Sequence, residues 1–392
     1  MQETSSTRRE YLQGGIAGIG SLLVAGCLGG SSDDGSTEQP GSSEDGQTAT
    51  DGTSTDGGQE QTGGPYTVSM APVGEVTFES VPETWVANNG SWADMGIALG
   101  LEPPKGVWLT SRYHTQYYDE IPDVSVSKEE MVSLYQDGVS KELFYELDAD
   151  VHVMDPNFLT NRFKNWSEAD VEEISQIGPV FGNSIYASHY PWHEDYRYYT
   201  LMEGFEKLAQ VFQRTDRYEA FVGVHDSFQQ NLSSVVPSES ERPSVAVVWG
   251  SGDAPEKFYP YIIGDGTGFK HLRDLGVSDA LANTDVKDFH GSRAAIDYET
   301  LLEVDPEVLL LRGQESKTAE EFQNTVVASM EDHPVGKDLT AVQNGEVYRA
   351  GGLYQGPITN LVLTERLAAD LYGVEKELFD RKKVADIVNE GA

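Results

Sequence analysis

Several arginine, tyrosine, tryptophan and histidine residues fall just after short apolar runs, a combination suited to holding a small anionic ligand rather than to making bonds. In the first half of the chain these are Trp92, Arg112, Tyr113, His114 and Tyr117, with Asn157 beyond them. In the second half they are Trp249, Tyr259, Tyr261, His290, Arg293, Arg312 and Tyr354. A guanidinium offers charge-assisted hydrogen bonds to negatively charged oxygens from a rigid planar fork. Aromatic rings pack on the apolar body of the same ligand.

A second cluster, Tyr186 to Tyr196, is dense in metal donors and includes His189, Tyr190, Trp192, His193, Glu194 and Asp195. Histidines four apart share a face only on a helix, and Pro191 between them opposes that geometry. Aromatic packing or a cleft-edge loop is therefore expected there in place of a bare-metal site. Catalytic signatures are missing: there is no Gly-x-Ser-x-Gly, no His-Glu-x-x-His and, with Cys27 the only cysteine, no cysteine-based metal site. Gly264-Asp-Gly-Thr-Gly268 is glycine-rich but lacks the Lys-Ser/Thr ending of a phosphate loop. The expectation is a binding protein, not an enzyme, with no cofactor of its own.

The elements that must position these residues follow from the hydrophobic pattern. Strand-like runs at Tyr66 to Met70, Glu75 to Phe78, Thr84 to Ala87, Gly106 to Leu109 and Val151 to Met154 alternate with helical stretches. The rhythm returns at Ser244 to Trp249, Val308 to Leu311 and Glu346 to Ala350. Alternation of this kind predicts an α/β fold with two Rossmann-like lobes, each built on a mostly parallel sheet. Between them, Leu201, Phe205, Leu208 and Phe212, then Phe221, Val224, Phe228 and Leu232, recur at helical spacing, with Asp216 and Glu219 as a capping box. A helix from Arg217 to Leu232 spans roughly 24 Å, enough to join two lobes. Ligands bind beyond the carboxyl ends of such strands, so facing lobes would share one cleft.

One internal echo supports two similar halves. Glu142-Leu-Phe-Tyr-Glu-Leu-Asp-Ala-Asp-Val151 matches Glu299-Thr-Leu-Leu-Glu-Val-Asp-Pro-Glu-Val308, each reading as helix, turn, strand. The leading glutamates suit the positive end of a helix.

The ends and the charge bound the setting. Thr7-Arg8-Arg9 before a short glycine-rich apolar stretch reads as a twin-arginine export signal over 1–27. Cys27 closes it at a lipobox-like site, where a lipidated thiol would anchor the protein to the outer face of the cytoplasmic membrane. Residues 28–64 are polar and devoid of aromatics, a disordered tether. Beyond it, 65–216 is expected as the first lobe, 217–236 as the linking helix and 237–392 as the second lobe. A net charge of -38 repels nucleic acid and suits a high-salt setting in which self-repulsion is screened.

From Tyr66 to Val374 the chain resembles the iron-siderophore and cobalamin class of periplasmic binding proteins. The resemblance rests on Tyr66-Thr-Val-Ser-Met, Gly74-Glu-Val-Thr-Phe with Pro82, and Met95-Gly-Ile-Ala-Leu-Gly100. More specific are Gly266-Thr-Gly-Phe-Lys-His-Leu-Arg-Asp-Leu-Gly276, the segment Ile296 to Val308, and Leu339-Thr-Ala-Val-Gln-Asn-Gly-Glu-Val-Tyr348. It implies capture in a cleft between lobes joined by one long helix, then delivery as a monomer to an ABC permease and, through it, its ATPase. A ferric siderophore is the favoured ligand, with cobalamin, haem and bare metal ions as alternatives. The family's docking glutamates fall on Glu142 and Glu299, although the first repeat has Ala149 where the second has Pro306. The rivals from other classes are a surface sensory or adhesion protein, or an enzyme, reusing the fold.

Overall fold

Short apolar runs closed by turn residues make the strands, which a computed structural model describes over residues 64–188 and 190–390. The export signal with Arg8 and Arg9, Cys27, the tether as far as 63, and His189 lie outside the described residues. Strands β1 (Tyr66–Met70) and β2 (Gly74–Phe78) form an antiparallel hairpin. Strands β3 (Trp85–Ala87), β4 (Gly106–Val107), β5 (Val132–Ser133) and β6 (Val151–Val153) then build a parallel sheet in the order β5-β4-β3-β6. The second half supplies β7 (Ser244–Trp249), β8 (Tyr259–Tyr261), β9 (Ser278–Asp279), β10 (Val308–Arg312) and β11 (Val347–Arg349). They order as β11-β10-β7-β8, with β9 also on β7 and only β8 antiparallel. Two separate, mostly parallel sheets thus give the expected two-lobed α/β architecture.

The internal echo is a repeated piece of construction. Helix Lys141–Leu147 and helix Tyr298–Val304 both end on an aspartate in the left-handed region, Asp148 at φ 43° and Asp305 at φ 44°. Each then runs into the strand beside the first long strand of its sheet, β6 next to β3 and β10 next to β7. An acid just ahead of that strand clamps the neighbour's start. The Asp150 carboxylate accepts from the backbone N–H of Thr84 at 2.7 Å, and Glu307 accepts from that of Ser244 at 2.7 Å.

The linking helix runs Thr215–Ser233, starting two residues before Arg217 and ending between the expected limits of Leu232 and residue 236. Its buried stripe is the anticipated one, Phe221, Val224, Phe228 and Leu232. The capping box is not where Asp216 and Glu219 suggested. The helix starts at Thr215 with Arg214 as an uncapped N-cap, which moves Asp216 inside the first turn. A true capping box sits one helix earlier, where Thr200 and Glu203 open Leu201–Val211.

The halves are joined at the back by a buried polar clamp. Asp94, in the wholly buried helix Gly90–Ala98, accepts from the N–H groups of Ile358 and Thr359 at 3.0 and 3.1 Å, capping the helix Pro357–Tyr372 of the other half. Its second oxygen accepts from the Tyr118 hydroxyl at 2.7 Å. Burial pushes the Asp94 carboxyl up to about 6, and the four hydrogen bonds it accepts pull in the other direction. Among the described residues, no helix is long and apolar enough to cross a membrane.

Candidate ligand-binding site

In front of this clamp, loops from the carboxyl ends of both sheets meet ring to ring. Arg112 from the first half lies over the Trp249 ring at 4.8 Å. Tyr186 meets Tyr354 edge-on at 5.3 Å, and Tyr190 meets His290 at 5.2 Å. The backbone approaches as closely: the Thr267 N–H donates to the Ile185 carbonyl at 2.9 Å, and a Cβ on Gly266 would stand 2.2 Å from the Tyr186 carbonyl oxygen. Only glycine fits there.

Most of the candidate residues gather at this seam. Tyr261 packs against His290 at 5.1 Å, and Tyr259 against Phe289 at 4.8 Å. The His290 Nδ1 lies 3.2 Å from the Asp288 carboxylate, which also accepts from the His290 backbone N–H at 2.7 Å. Burial keeps this imidazole below its ordinary value. His114 stands 3.9 Å from Glu315, whose carbonyl accepts from Gln116 at 2.9 Å. Burial raises the Glu315 carboxyl to about 7 and lowers His114 to about 4, so the pair is not a charged latch at neutral pH. Tyr117 is buried beneath the Arg366 guanidinium at 5.3 Å.

Arg312 is the electrostatic centre. It ends β10 and is fully buried, with Phe269 4.6 Å and Tyr261 5.3 Å from its guanidinium carbon. One nitrogen donates to the Gly268 carbonyl. Its Nε and Nη1 have no hydrogen-bond partner, and no carboxylate lies within ion-pairing distance among the described residues. Burial lowers its proton affinity, yet an arginine so placed stays charged. A buried cation with orphaned donors is costly and calls for an anion.

Other candidates are turned away from the seam or stand at its edge. Trp92 is fully buried in the core, its Nε1 donating to the Asn183 carbonyl at 3.3 Å; its place in the first turn of Gly90–Ala98 turns it inward. Tyr113 borders the seam, but its hydroxyl is engaged with that of Tyr118 at 2.7 Å. Asn157 sits in the first turn of Pro156–Arg162, its N–H held by Asp155 at 2.9 Å. Arg293 is exposed, 5.2 Å from the Phe289 ring. Glu142 and Glu299 are exposed at the second position of equivalent helices. The glycine-rich loop Gly264 to Gly268 turns its carbonyls to Arg273, the opposite of a phosphate cradle.

Sequence reasoning missed Gln116, Glu315 and Phe269, and did not assign Tyr186 or Tyr190 to the ligand site. It also missed an aromatic cluster at the carboxyl ends of the first sheet. Trp108 packs there against Phe158, Phe163 and Tyr135 at 4.8, 5.2 and 5.4 Å. Tyr135 remains 37% exposed.

The sequence pattern of a periplasmic binding protein family matches residues 86–352. No curated protein matches the sequence. Solved structures share the fold at low identity. The triscatecholate siderophore binding protein FeuA of Bacillus subtilis is 16% identical, with a TM-score of 0.52 over 78% of this chain and 98% of its own. The catecholate-siderophore binding protein VctP of Vibrio cholerae is 20% identical, with a TM-score of 0.51 over 79% of this chain and 100% of its own. A binding protein component of a ferrichrome ABC transporter from Bacillus subtilis is 17% identical, with a TM-score of 0.50 over 78% and 100%.

Proposed function

Because the chain belongs to the periplasmic binding protein family, we propose that it is the exported substrate-binding component of an ABC importer and carries a ferric siderophore. The observation that carries this is the seam itself, where arginine and aromatic side chains from the strand ends of both halves converge around the orphaned guanidinium of Arg312. Ferric chelates present anionic oxygens around a largely apolar body, and the seam offers a complement to each. Binding requires Tyr186 and Tyr190 to part from Tyr354 and His290, a motion that hinges on the linking helix. A lipidated Cys27 would hold the monomer at the outer face of the cytoplasmic membrane, with 28–64 as its tether.

The test is a titration of the full chain, in high salt, against ferric chelates, haem and corrinoids, followed by tryptophan fluorescence. Saturable one-to-one binding of a ferric chelate is expected, with the chelate recovered unchanged. Exclusive binding of a corrinoid, or chemical conversion of the chelate, would overturn the assignment.

Glu142 and Glu299 have a role distinct from capture. Both are exposed at the start of matched helices, and a groove of about 400 Å³ lined by Gln136, Asp137, Ser140 and Glu146 adjoins Glu142. Separated carboxylates on two halves set the register of docking on basic permease loops. The double variant Glu142→Ala, Glu299→Ala is expected to lower cellular uptake at least about tenfold with ligand affinity unchanged. Loss of affinity instead would place these residues in the pocket.

A further inference from the structure

Arg312 is held from behind by a buried amide. The Gly268 carbonyl that accepts from Arg312 also accepts from Gln355 Nε2 at 3.3 Å. Gln355 is wholly buried, and the same Nε2 donates to the Gly352 carbonyl at 3.1 Å and faces Nδ1 of His271 at 3.1 Å. Asn360 fixes the orientation of the amide, its Nδ2 donating to Gln355 Oε1 at 3.1 Å. An amide offers two hydrogens and one acceptor oxygen, so every polar atom of Gln355 is engaged. The tautomer of His271 follows. Its Nε2 lies 2.9 Å from the Ala350 carbonyl, which can only accept, so Nε2 carries the ring proton and Nδ1 takes the Gln355 donor. Donation thus runs one way, from Asn360 through Gln355 and His271 to Ala350. Burial, and then the charge of Arg312, push this imidazole down to about 3, so it is neutral at physiological pH.

Two stretches of chain are tied together at this amide. One is the loop Gly266 to His271, with Gly268 and with Phe269, whose ring lies 4.6 Å from the Arg312 guanidinium carbon. The other runs from Ala350 to Gly356 and carries Tyr354, which meets Tyr186 of the first half. They pack so closely that a Cβ on Gly268 would stand 2.4 Å from the Leu353 carbonyl oxygen. Helix Pro357–Tyr372 continues from the second stretch, and its start is the one that Asp94 caps. A buried network whose members are all satisfied is stiff, and loss of its hub leaves several polar groups unpaired at once.

We propose that Gln355 is a positioning residue for anion capture: by tying Gly268 to the segment that carries Tyr354, it holds the Arg312 guanidinium with Nε and Nη1 free for the ligand. The assignment rests on the chelate-binding function above and adds a charge preference to it. A buried guanidinium kept without a counter-ion favours an anionic chelate over an uncharged one.

The experiment compares the full chain, in high salt, with its Gln355→Glu and Asn360→Ala variants. Glutamate keeps the shape of glutamine but turns a carboxylate toward the Gly268 and Gly352 carbonyls and gives Arg312 an internal counter-charge. Alanine at 360 leaves Gln355 in place and frees its amide to turn over, a milder change that remains measurable if Gln355→Glu does not fold. Probes are a ferric tris-catecholate, which is anionic, and a ferric trihydroxamate, which is uncharged, with affinity read from tryptophan quenching. Nitrogen NMR of the His271 ring reads the network without ligand. The parent is expected to prefer the tris-catecholate and to show one protonated and one bare His271 nitrogen from pH 5 to pH 8. Gln355→Glu is expected to bind the tris-catecholate at least about tenfold more weakly and the trihydroxamate within about threefold of the parent, with both His271 nitrogens protonated. Asn360→Ala is expected to show the same selectivity with a loss of about threefold or more. Equal losses for the two chelates, or an unchanged affinity for the anionic one, overturn the assignment while leaving chelate binding intact. A parent that prefers the uncharged chelate, or a His271 spectrum unaltered by Gln355→Glu, does the same. Failure of the parent to bind either chelate overturns the chelate-binding function and this assignment with it.

Discussion

Replacing Arg312 with methionine is expected to weaken ligand binding by at least ~100-fold, while the unliganded protein unfolds within about 1 kcal/mol of its parent. The two halves of this expectation have separate causes. In the unliganded protein the guanidinium is fully buried with Nε and Nη1 unpartnered, a desolvation cost that methionine removes. Methionine also forfeits the hydrogen bond to Gly268 and the contacts with Phe269 and Tyr261, which offsets the relief. With ligand bound the balance changes. An anion that meets the orphaned donors gains charge-assisted hydrogen bonds in a water-poor setting, and truncating one partner of such a pair costs on the order of 2–5 kcal/mol. Calorimetric titration together with urea unfolding of the same variant separates the two effects. Unchanged affinity would show that the guanidinium serves only the packing of the second sheet.

Arg312 also shows what the sequence can reveal about such a site. It follows the apolar run Val308 to Leu311, so its position at a strand end was readable, as were those of Arg112, Trp249, Tyr261 and His290. Strands β7 and β10 were equally plain because both of their faces are buried. Strand β8 was not, since Tyr259-Pro260-Tyr261 places a proline in a strand, a choice tolerated at the sheet edge where it lies. Strands β5 and β9 are two residues each and leave no periodic trace.

The misses at the site share one cause: the deciding contact is distant in sequence. Trp92 looks like a strand-end aromatic until the helix Gly90–Ala98 is seen to be buried on every side. Asp94, in the middle of that helix, carries no signal in the sequence, because its partners Ile358 and Thr359 are more than 260 residues away. The loop 186–198 announces its aromatic content, but Tyr186 and Tyr190 become seam residues only through Tyr354 and His290. Composition located the chemistry, and the packing of two halves decided which of those groups face one another.

A buried histidine far from the seam gives the second large expectation, an acid-dependent gain in stability when His152 is replaced by leucine. His152 lies in β6, wholly buried against the Phe144 ring at 5.2 Å, and neither ring nitrogen has a hydrogen-bond partner among the described residues. Burial lowers the imidazole from 6.5 to about 4, the nearby Ile174 carbonyl opposing only weakly. The unfolded chain therefore takes up a proton on His152 near pH 6.5, whereas the folded protein resists until about pH 4. Its stabilising contribution is complete above pH 6.5, falls with the pH through this window and is fully lost below about 4. At pH 5 the loss amounts to about 2 kcal/mol. Asp94 and Glu315, raised to about 6 and about 7, act in the opposite sense, because their folded forms bind protons first as the pH falls. The parent's own stability curve mixes these contributions, but the difference between His152→Leu and parent isolates one. That difference, measured by urea unfolding, is expected to be constant above pH 7, to grow in favour of leucine by about 2 kcal/mol at pH 5, and to level off below pH 4. A difference independent of pH would mean that the imidazole takes up its proton as readily in the folded protein as in the unfolded chain, which would require an acceptor for its ring nitrogens within that core.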